Sequence, residues 1–551
     1  MNIYGDLSRL EHAVDVWASV MSSAQAASEG PAGIGRHAAL VRAFIRASEL
    51  VQGIADSEFE CRGFDGRSAL QDRGASLLLD MAAMIDRSWK SSFTAHVDVR
   101  RLTQYADLSY AGWIRTRTAE GFAHYALYPE SYLEAARVSA LGPTTRVIGI
   151  RSIGTGLAAL VAVALGARPA ITVRPVGHPF SREVCVVVDG LDLNSTTDFA
   201  VVDEGPGRSG SSLASVACWL AREGVALERI HFFPSHKGEP GGAATKETRL
   251  IWKRCRRHPA APEQILEQGL RSWVECRLGP LERPLEKVAT TGNRPWDGRF
   301  ERCKFLARNS SGPWLIKFAG LGEMGARKLR DAEAMAAAGY GPAVSGESYG
   351  FLVQKWVEAK PLKAAHYDRG TFLRFLGSYL AFRATRLGSP GVGASLEALR
   401  RMAIENTSEV LGVQAKRKIE LRLSNFDALG ARVRRVRTDN RLHTWEWLAG
   451  AHGFLKIDAV DHCEAHDLIG CQDIAWDVAG CIVEHDLTAE ELPQLYLHMK
   501  AAGKNPDAGL VADMLPAYLA FQLGLWSTAS GSDAHALAQG YARKLSHLLM
   551  Q

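Results

Sequence analysis

The sequence predicts an α/β protein of several domains, with a doubly wound parallel sheet in the middle of the chain. Its 551 residues suffice for about three or four domains of roughly 100–200 residues each. Short apolar runs alternate with helical patterns between about residues 105 and 290, an order typical of parallel sheets. A polar, proline-containing linker at 292–297 follows, and then a β-rich stretch and a long helical remainder. That order predicts a two-lobed α+β domain.

Composition narrows the class of protein. The chain is 47% hydrophobic and 23% charged, which excludes intrinsic disorder, collagen and coiled coil. A net charge of +5 is too small to argue for a nucleic-acid or membrane partner, so we expect small-molecule ligands. The longest nearly apolar stretch, 152–167, is shorter than the ~20 residues of a membrane span. Nine scattered cysteines without a Cys-x-x-Cys pair and no secretory signal pattern indicate reduced thiols in the cytoplasm.

Residues 1–100 have a helical pattern. Leu7, Leu10, Val14, Trp17 and Met21 recur at three- and four-residue spacing, as the buried side of an amphipathic helix does. No motif with evident chemistry stands out in this region. We interpret it as a helical cap or interface domain, through which the chain could form a homo-oligomer.

Residues 101–290 alternate between strands and helices. The predicted strands are Val147–Ile150, Ala170–Val173, Val184–Val188, Phe199–Val202 and Ile230–Phe233, with helices over Gly156–Leu165 and Leu213–Glu223. Parallel strands need crossover helices between them, so this order predicts the doubly wound sheet.

The most informative stretch is 199–212. Four apolar residues form a buried strand, Asp203 and Glu204 follow at its carboxyl end, and a glycine-rich turn leads into Ser-Gly-Ser-Ser at a helix start. Ligands of open parallel sheets bind at that edge. Backbone N–H groups of such a turn and the helix N-terminus suit a phosphate, whereas the two acids suit sugar hydroxyls or a magnesium ion.

This stretch resembles the phosphoribosyl-pyrophosphate (PRPP) signature of the type I phosphoribosyltransferases. The resemblance implies that Asp203 and Glu204 bind the ribose hydroxyls. It also implies that the loop binds the 5′-phosphate through Gly207, Arg208, Ser209, Gly210, Ser211 and Ser212. The spacing from the acids to the Ser-Gly pair is about one residue longer here than is usual in the family, which leaves the role of Arg208 open.

A second loop fits the same family. The strand Val147–Ile150 is followed by Arg151, Ser152, Ile153 and Gly154, which resemble the pyrophosphate-binding loop. The polar segment 174–183 stands where the family has a mobile catalytic lid, so Arg174, His178 and Arg182 would close on the leaving group. Residues 115–125 would belong to the hood that selects the acceptor. Magnesium and arginines, Arg151 and Arg182 first, would stabilise the departing pyrophosphate.

Residues 291–551 resemble the aminoglycoside-phosphotransferase-like branch of the protein kinase fold. The apolar strand Trp314–Phe318 contains one lysine, and the helix Lys328–Ala338 after it contains Glu333. By resemblance, Lys317 and Glu333 would form the ion pair that contacts nucleotide phosphates. ATP would then be the nucleotide.

The catalytic half departs further from that family. The family has a His-x-Asp-x-x-x-x-Asn loop, but here the position of its histidine, two residues before Asp439, is Arg437. Asp439 would be the catalytic aspartate and Asp458, after the next strand, the metal-binding one. Asn440 or Glu446 would replace the metal-binding asparagine. Residues 472–479 resemble the helix that follows in the family. A degraded kinase that only binds nucleotide, or only scaffolds, is the alternative.

Two other groups of residues, one of histidines and cysteines and one of basic residues, have simpler explanations than a metal or nucleic-acid site. His462, Cys463, His466 and Cys471 match no regular zinc-finger spacing. The basic runs 253–257 and 432–437 lack interleaved aromatic residues and read as solvated surfaces rather than nucleic-acid sites.

The sequence thus predicts magnesium- and PRPP-dependent phosphoribosyl transfer to an unidentified acceptor. The attached kinase-like domain would phosphorylate the product or its precursor. The alternative is a non-catalytic regulatory or scaffold protein that binds PRPP or nucleotides.

Overall fold

The computed structural model describes residues 8–187, 197–288, 303–362, 365–388, 391–450, 453–464, 469–529 and 531–551. The predicted linker at 292–297 therefore lies outside the described residues, as do His466 and the end of the predicted strand at Val188.

The N-terminal region is a helical layer with a two-stranded ribbon. Its elements are β1 (Ser8–His12), α1 (Ala13–Glu29), α2 (Ile34–Arg62), α3 (Ala69–Lys90), a 3₁₀ helix (Arg100–Ala111), β2 (Trp113–Arg117), α4 (Glu120–His124) and α5 (Pro129–Arg137). The helical prediction is correct from residue 13 onward. It is wrong for Leu10, because residues 8–12 pair antiparallel with 113–117.

The central region contains the predicted parallel sheet. Its elements are β3 (Arg146–Ile150), α6 (Gly154–Leu165), β4 (Ile171–Val173), β5 (Val176–His178), β6 (Ser181–Glu183), β7 (Phe199–Val202), α7 (Ser211–Arg222), β8 (Ile230–Phe233), α8 (Lys246–Arg254), β9 (Arg256–Arg257) and α9 (Pro262–Leu278). The sheet order is β4-β3-β7-β8-β9, and every neighbouring pair is parallel. The doubly wound sheet is therefore confirmed.

Both faces of this sheet are buried, which explains the continuous apolar runs of its strands. Val147, Val202 and Phe233 pack with α6 and the N-terminal helices. Ile148 and Val201 face the opposite layer, which contains α7. Residues 184–187, the described part of the predicted strand at 184–188, do not form a strand, and Val186 makes only an isolated bridge to Asp65.

A five-stranded antiparallel sheet with one helix begins the C-terminal region. Its elements are β10 (Glu286–Lys287), β11 (Lys304–Asn309), β12 (Gly312–Phe318), α10 (Gly322–Ala337), β13 (Val344–Ser348) and β14 (Phe351–Lys355). The strand order is β10-β11-β12-β14-β13. The predicted turn at 309–312 joins β11 to β12. The helix begins at Gly322, six residues before the predicted Lys328.

A mostly helical lobe completes the chain. Its elements are β15 (Lys360–Pro361), α11 (Arg369–Arg386), α12 (Leu396–Arg422), β16 (Arg435–Val436), β17 (Trp447–Gly450), β18 (Gly453–Lys456), β19 (Gln472–Asp473), α13 (Ile474–Glu484), α14 (Glu491–Ala501), α15 (Ala508–Ser527) and α16 (Ser532–Leu548). One helix of the described chain, α15, is long and apolar enough to cross a membrane by length and composition, and most of it is buried inside the protein.

The small antiparallel sheet shares a hydrophobic core with the central and N-terminal regions. Ile316, Phe318 and Phe351 belong to the same buried cluster as α2, α6 and one face of the parallel sheet. The helical lobe has a separate core. The core is thus continuous on both sides of the predicted domain boundary at residue 290.

Candidate functional site

The carboxyl ends of β3 and β7 meet at the point where the strand order of the parallel sheet reverses. β3 continues to β4 on one side, and β7 pairs with β3 on the other. Open parallel sheets bind ligands in the crevice at this switch point. A cavity of about 370 Å³ lies there, and Arg151, Arg182, Asp203 and Ser212 are among the residues that line it.

The loops fit this edge because glycine allows a close approach of two backbones. A Cβ on Gly149 would lie 2.3 Å from the carbonyl oxygen of Gly154, and one on Gly154 would lie 2.6 Å from that of Val202. The turn Ser152–Ile153–Gly154 therefore lies directly beside the end of β7. The structure brings the two predicted ligand loops together.

Asp203 and Glu204 are largely buried at the end of β7. Burial raises the pKa of Asp203 to about 6. Burial, Glu120 and Asp203 together raise the pKa of Glu204 to about 8. Glu204 Oε2 accepts a hydrogen bond of 3.0 Å from the backbone N–H of Gly121. Desolvation disfavours the ionised form of both carboxyl groups. A ligand that brings hydroxyl donors or a cation would stabilise the ionised form, so these two acids are suited to bind such a ligand.

The loop after these acids is braced from the side by residues 240–243. The N–H of Gly241 donates to the carbonyl of Gly207 at 3.0 Å, and that of Ala243 donates to Arg208 at 3.1 Å. Gly207 and Gly210 have φ values of 56° and 65°, which glycine adopts readily. Helix α7 begins at Ser211, so its N-terminal N–H groups lie at this loop.

The hairpin β5–β6 lies on the same loop. Ser209 Oγ and Ser211 Oγ both donate to the carbonyl of Pro179, at 3.1 and 2.8 Å. A second cavity, of about 290 Å³, lies between the hairpin and the loop, and Arg182, Asp203 and Ser212 line both cavities. The predicted lid segment therefore does face the predicted phosphate loop.

The role predicted for Arg151 needs a correction. Its side chain is completely buried and is ion-paired to Asp56 and Asp65 of the N-terminal region. Although the residue borders the cavity, its guanidinium group is therefore used to hold the loop in place. Arg182 fits the predicted role better, because it faces both cavities and donates only to the carbonyl of Pro175 in the described chain. Burial and then the nearby Arg174 and Arg117 lower its pKa.

A second cluster of charges lies between the small sheet and the helical lobe. The ammonium group of Lys317 is buried, 2.7 Å from Asp458 Oδ1 and also bonded to Asp461. Lys304 lies directly opposite Lys317 in the β11–β12 ladder, and its Nζ is 3.4 Å from Asp458 Oδ2. Burial alone would raise the pKa of Asp458, but these two lysines hold it well below its usual range.

Glu333 is not the partner of Lys317. It is exposed on α10, while the buried Lys328 of the same helix lies 3.9 Å from Asp461 Oδ1. The predicted lysine–glutamate pair is therefore wrong. Three lysines from β11, β12 and α10 surround two aspartates, and this arrangement suits an anionic phosphate better than a bare cation.

Asp439 is not placed as a catalytic base. Its side chain is fully buried, accepts a hydrogen bond from Tyr379, and lies 3.4 Å from Lys456 Nζ. The backbone N–H groups of Asp439 and Asn440 donate to Asp477 of α13 at 2.7 and 3.0 Å. Two hydrogen bonds thus hold the loop against the predicted helix 472–479. The carboxylate of Asp439 is not accessible to a substrate.

If Glu446 replaces the asparagine of the His-x-Asp-x-x-x-x-Asn pattern, the catalytic aspartate would stand five residues earlier, where this chain has Arg441. Arg441 is buried. Glu446 is also buried, 4.0 Å from Lys456 Nζ. Of the two predicted metal ligands, Asp458 is held by lysines and Glu446 lies near one, so magnesium would have to displace ammonium groups there.

The candidate zinc cluster does not form among the residues that the structure describes, where no group of three or more potential ligands comes together. Cys463 and Cys471 are buried with their sulfur atoms 3.2 Å apart.

Four charged residues of these sites were not predicted from the sequence: Asp56, Asp65, Lys304 and Lys328. The two aspartates lie on or just after α2, in a region without a recognisable motif. A signal was present for Asp56, because Gln52 and Asp56 put polar side chains at helical spacing among apolar residues that are buried in the fold.

No protein-family model and no curated protein matches the sequence. Among solved structures, the chain is similar to the choline kinase LicA of Streptococcus pneumoniae, with 14% identity and a TM-score of 0.34 over 52% of this chain and 99% of that chain. A choline/ethanolamine kinase family protein of Mesorhizobium loti has 17% identity and a TM-score of 0.34, over 52% and 95%.

The spectinomycin phosphotransferase APH(9)-Ia has 10% identity and a TM-score of 0.35, over 51% and 92%. Each of these three similarities extends over about half of this chain. The resemblance of residues 199–212 to the phosphoribosyltransferases stays a prediction.

Proposed function

We propose that the parallel-sheet region binds a pyrophosphorylated ribose with magnesium and transfers its phosphoribosyl group to a small acceptor. The observation that supports this most strongly is the pair of buried acids at the switch point of the sheet, between a braced phosphate loop and a cavity lined by arginines. The acids suit a ribose diol, the loop and helix N-terminus suit a 5′-phosphate, and the arginines suit pyrophosphate.

In the proposed reaction, the bond between C1 and the pyrophosphate oxygen breaks and the leaving group keeps the electron pair. The acceptor then bonds to C1 and loses its proton. Arg182 would stabilise the charge that grows on pyrophosphate, since preorganised charges act most strongly in a site that excludes water. Magnesium, when bound, would neutralise part of that charge. The hairpin β5–β6 would keep water from the sugar cation.

Thermal unfolding with and without PRPP and magnesium tests the proposal. We expect the ligand to raise the melting temperature of the wild type, because a ligand that binds only the folded state stabilises it. Glu204→Ala should abolish the increase. Glu223→Ala, at the exposed far end of α7, is the matched control and should keep it. An equal increase in Glu204→Ala would refute the placement of the ribose.

For the C-terminal region, we propose nucleotide binding without phosphoryl transfer. Lys304, Lys317 and Lys328 supply positive charge for phosphates. If Glu446 replaces the asparagine of the catalytic loop, the position of the catalytic aspartate is occupied by Arg441. The region would then act as a regulatory or scaffold module attached to the phosphoribosyl site.

Binding of ATP with magnesium, measured by calorimetry, tests this second proposal. Loss of one charge-assisted contact in Lys317→Met should weaken binding by about tenfold or more. Lys418→Met, on the exposed side of α12, is the control and should bind as the wild type does. ATP consumption by the wild type with any small-molecule acceptor would contradict a non-catalytic role.

A further inference from the structure

The helix α2 contributes a polar side to the proposed phosphoribosyl site. Asp56 of α2 accepts hydrogen bonds through Oδ1 from Arg151 Nε at 2.9 Å and from Arg174 Nε at 2.8 Å. The second carboxylate oxygen of Asp56 is ion-paired with Arg174. One carboxylate therefore joins the loop after β3 to the residue that precedes the hairpin β5–β6.

Asp65 makes a second connection between the same parts. Its carboxylate accepts from the backbone N–H of Arg174 at 2.6 Å and is ion-paired with Arg151. Its backbone N–H donates to the carbonyl of Cys185 at 2.7 Å, and its carbonyl accepts from Val187 at 2.8 Å. Both ends of the hairpin segment are thus tied to the loop that follows α2.

Arg174 completes the connection, because its NH1 donates to the carbonyl of Arg151 at 2.8 Å. Asp56 and Asp65 are 8% and 3% exposed. Charged groups at this depth persist only when they are paired and hydrogen-bonded, so these contacts fix one geometry of the two segments. Arg174 and Arg182 line the cavity from the hairpin side of this assembly.

We propose that Asp56 and Asp65 are positioning residues of the donor site: they hold Arg151 and Arg174 so that the loop after β3 and the hairpin are preformed to bind the pyrophosphate group. The inference rests on the proposed function. It makes the N-terminal helical region a working part of that site rather than a cap. Neither aspartate contacts the phosphate loop 207–212 in the described contacts, so we expect the binding of the 5′-phosphate to depend on them much less than the binding of the pyrophosphate.

Calorimetric titration with two ligands separates positioning from a general structural role. PRPP with magnesium uses the whole site, whereas ribose 5-phosphate lacks the pyrophosphate group. Asp56→Asn and Asp65→Asn should weaken PRPP binding by about tenfold to a hundredfold, as expected for a lost charge-assisted contact. They should leave ribose 5-phosphate binding within about twofold of the wild type. Asp72→Asn, an exposed acid of α3, is the control and should change neither affinity.

Arg174→Lys gives a second arm that does not remove a buried carboxylate. It keeps the charge but loses the planar two-point contact with Asp56, and it should also weaken PRPP binding selectively. Equal losses of affinity for both ligands would overturn the inference. Tighter PRPP binding by Asp56→Asn would also overturn it, because the carboxylate would then compete with pyrophosphate for the arginines. A wild type that binds neither ligand would instead refute the proposed function itself, before any variant is made.

Discussion

The two acids at the end of β7 are the residues whose chemistry the fold changes most. A carboxyl group with a pKa of about 8, as for Glu204, keeps its proton at neutral pH in the ligand-free protein. Functional sites often contain such perturbed groups, because the geometry that prepares a site for its ligand leaves the charge poorly solvated. Burial of the carboxyl group itself is the largest cause of the raised pKa at both Asp203 and Glu204.

This shift predicts a pH-dependent gain in stability for Glu204→Gln. The folded protein keeps the proton of Glu204 up to about pH 8, whereas the unfolded chain loses it above its ordinary value of 4.5. The wild type therefore loses stability as pH rises through this interval. Glutamine cannot ionise and can still accept the hydrogen bond from Gly121, so the variant avoids that loss.

We therefore expect the melting temperature of Glu204→Gln to match the wild type near pH 5 and to exceed it by a few degrees near pH 9. Scanning calorimetry across that range measures the difference. Glu223→Gln should give the same small difference at every pH. A constant offset for Glu204→Gln across the range would mean that Glu204 titrates normally.

At the scale of elements, local patterns in the sequence were sufficient for most of the parallel sheet. The runs at 147–150, 199–202 and 230–233 are apolar throughout because both faces of the sheet are buried. The run at 184–188 is similarly apolar, but its described part, residues 184–187, does not form a strand. Its backbone is instead bonded to Asp65, a contact that lies far away in sequence and leaves no local signal.

The charged partners were the hardest part to predict. Arg151 and Lys317 were identified as site residues from their local motifs. Arg151 does follow β3 and Lys317 does lie on β12, but neither has the partner that was predicted for it. Their partners, Asp56 and Asp461, come from sequence separations of 95 and 144 residues. Glu333 was chosen by analogy, but the side of α10 that faces the cluster presents Lys328. Spacing along one chain predicts which elements meet and leaves open which side chains meet.

At the scale of the whole molecule, the small antiparallel sheet is joined to the N-terminal and central regions more closely than a flexible linker would allow. The hydroxyl of Tyr128 donates to the carbonyl of Tyr349 at 2.9 Å, and the hydroxyl of Tyr349 donates to Glu130 at 2.9 Å. Trp273 of α9 packs against the ring of Tyr349 at a centroid distance of 5.1 Å. The N–H of Leu321 donates to Phe122, one residue beyond the Gly121 that bonds Glu204.

Tyr349→Ala therefore should destabilise both regions together. Tyr349 is 2% exposed, and removal of a buried aromatic side chain costs about 3–5 kcal/mol. Hydrogen exchange in the intact chain should show lost protection in β14 and equally in α5, because the two elements lose one shared contact and open as a cooperative unit. Tyr110→Ala removes the same side chain from a site that is 85% exposed and should change neither. If protection is lost only in residues 303–355, the antiparallel sheet is an independent folding unit. Simultaneous loss of protection in α5 is expected instead, because the hydrophobic core is continuous across the predicted domain boundary at residue 290.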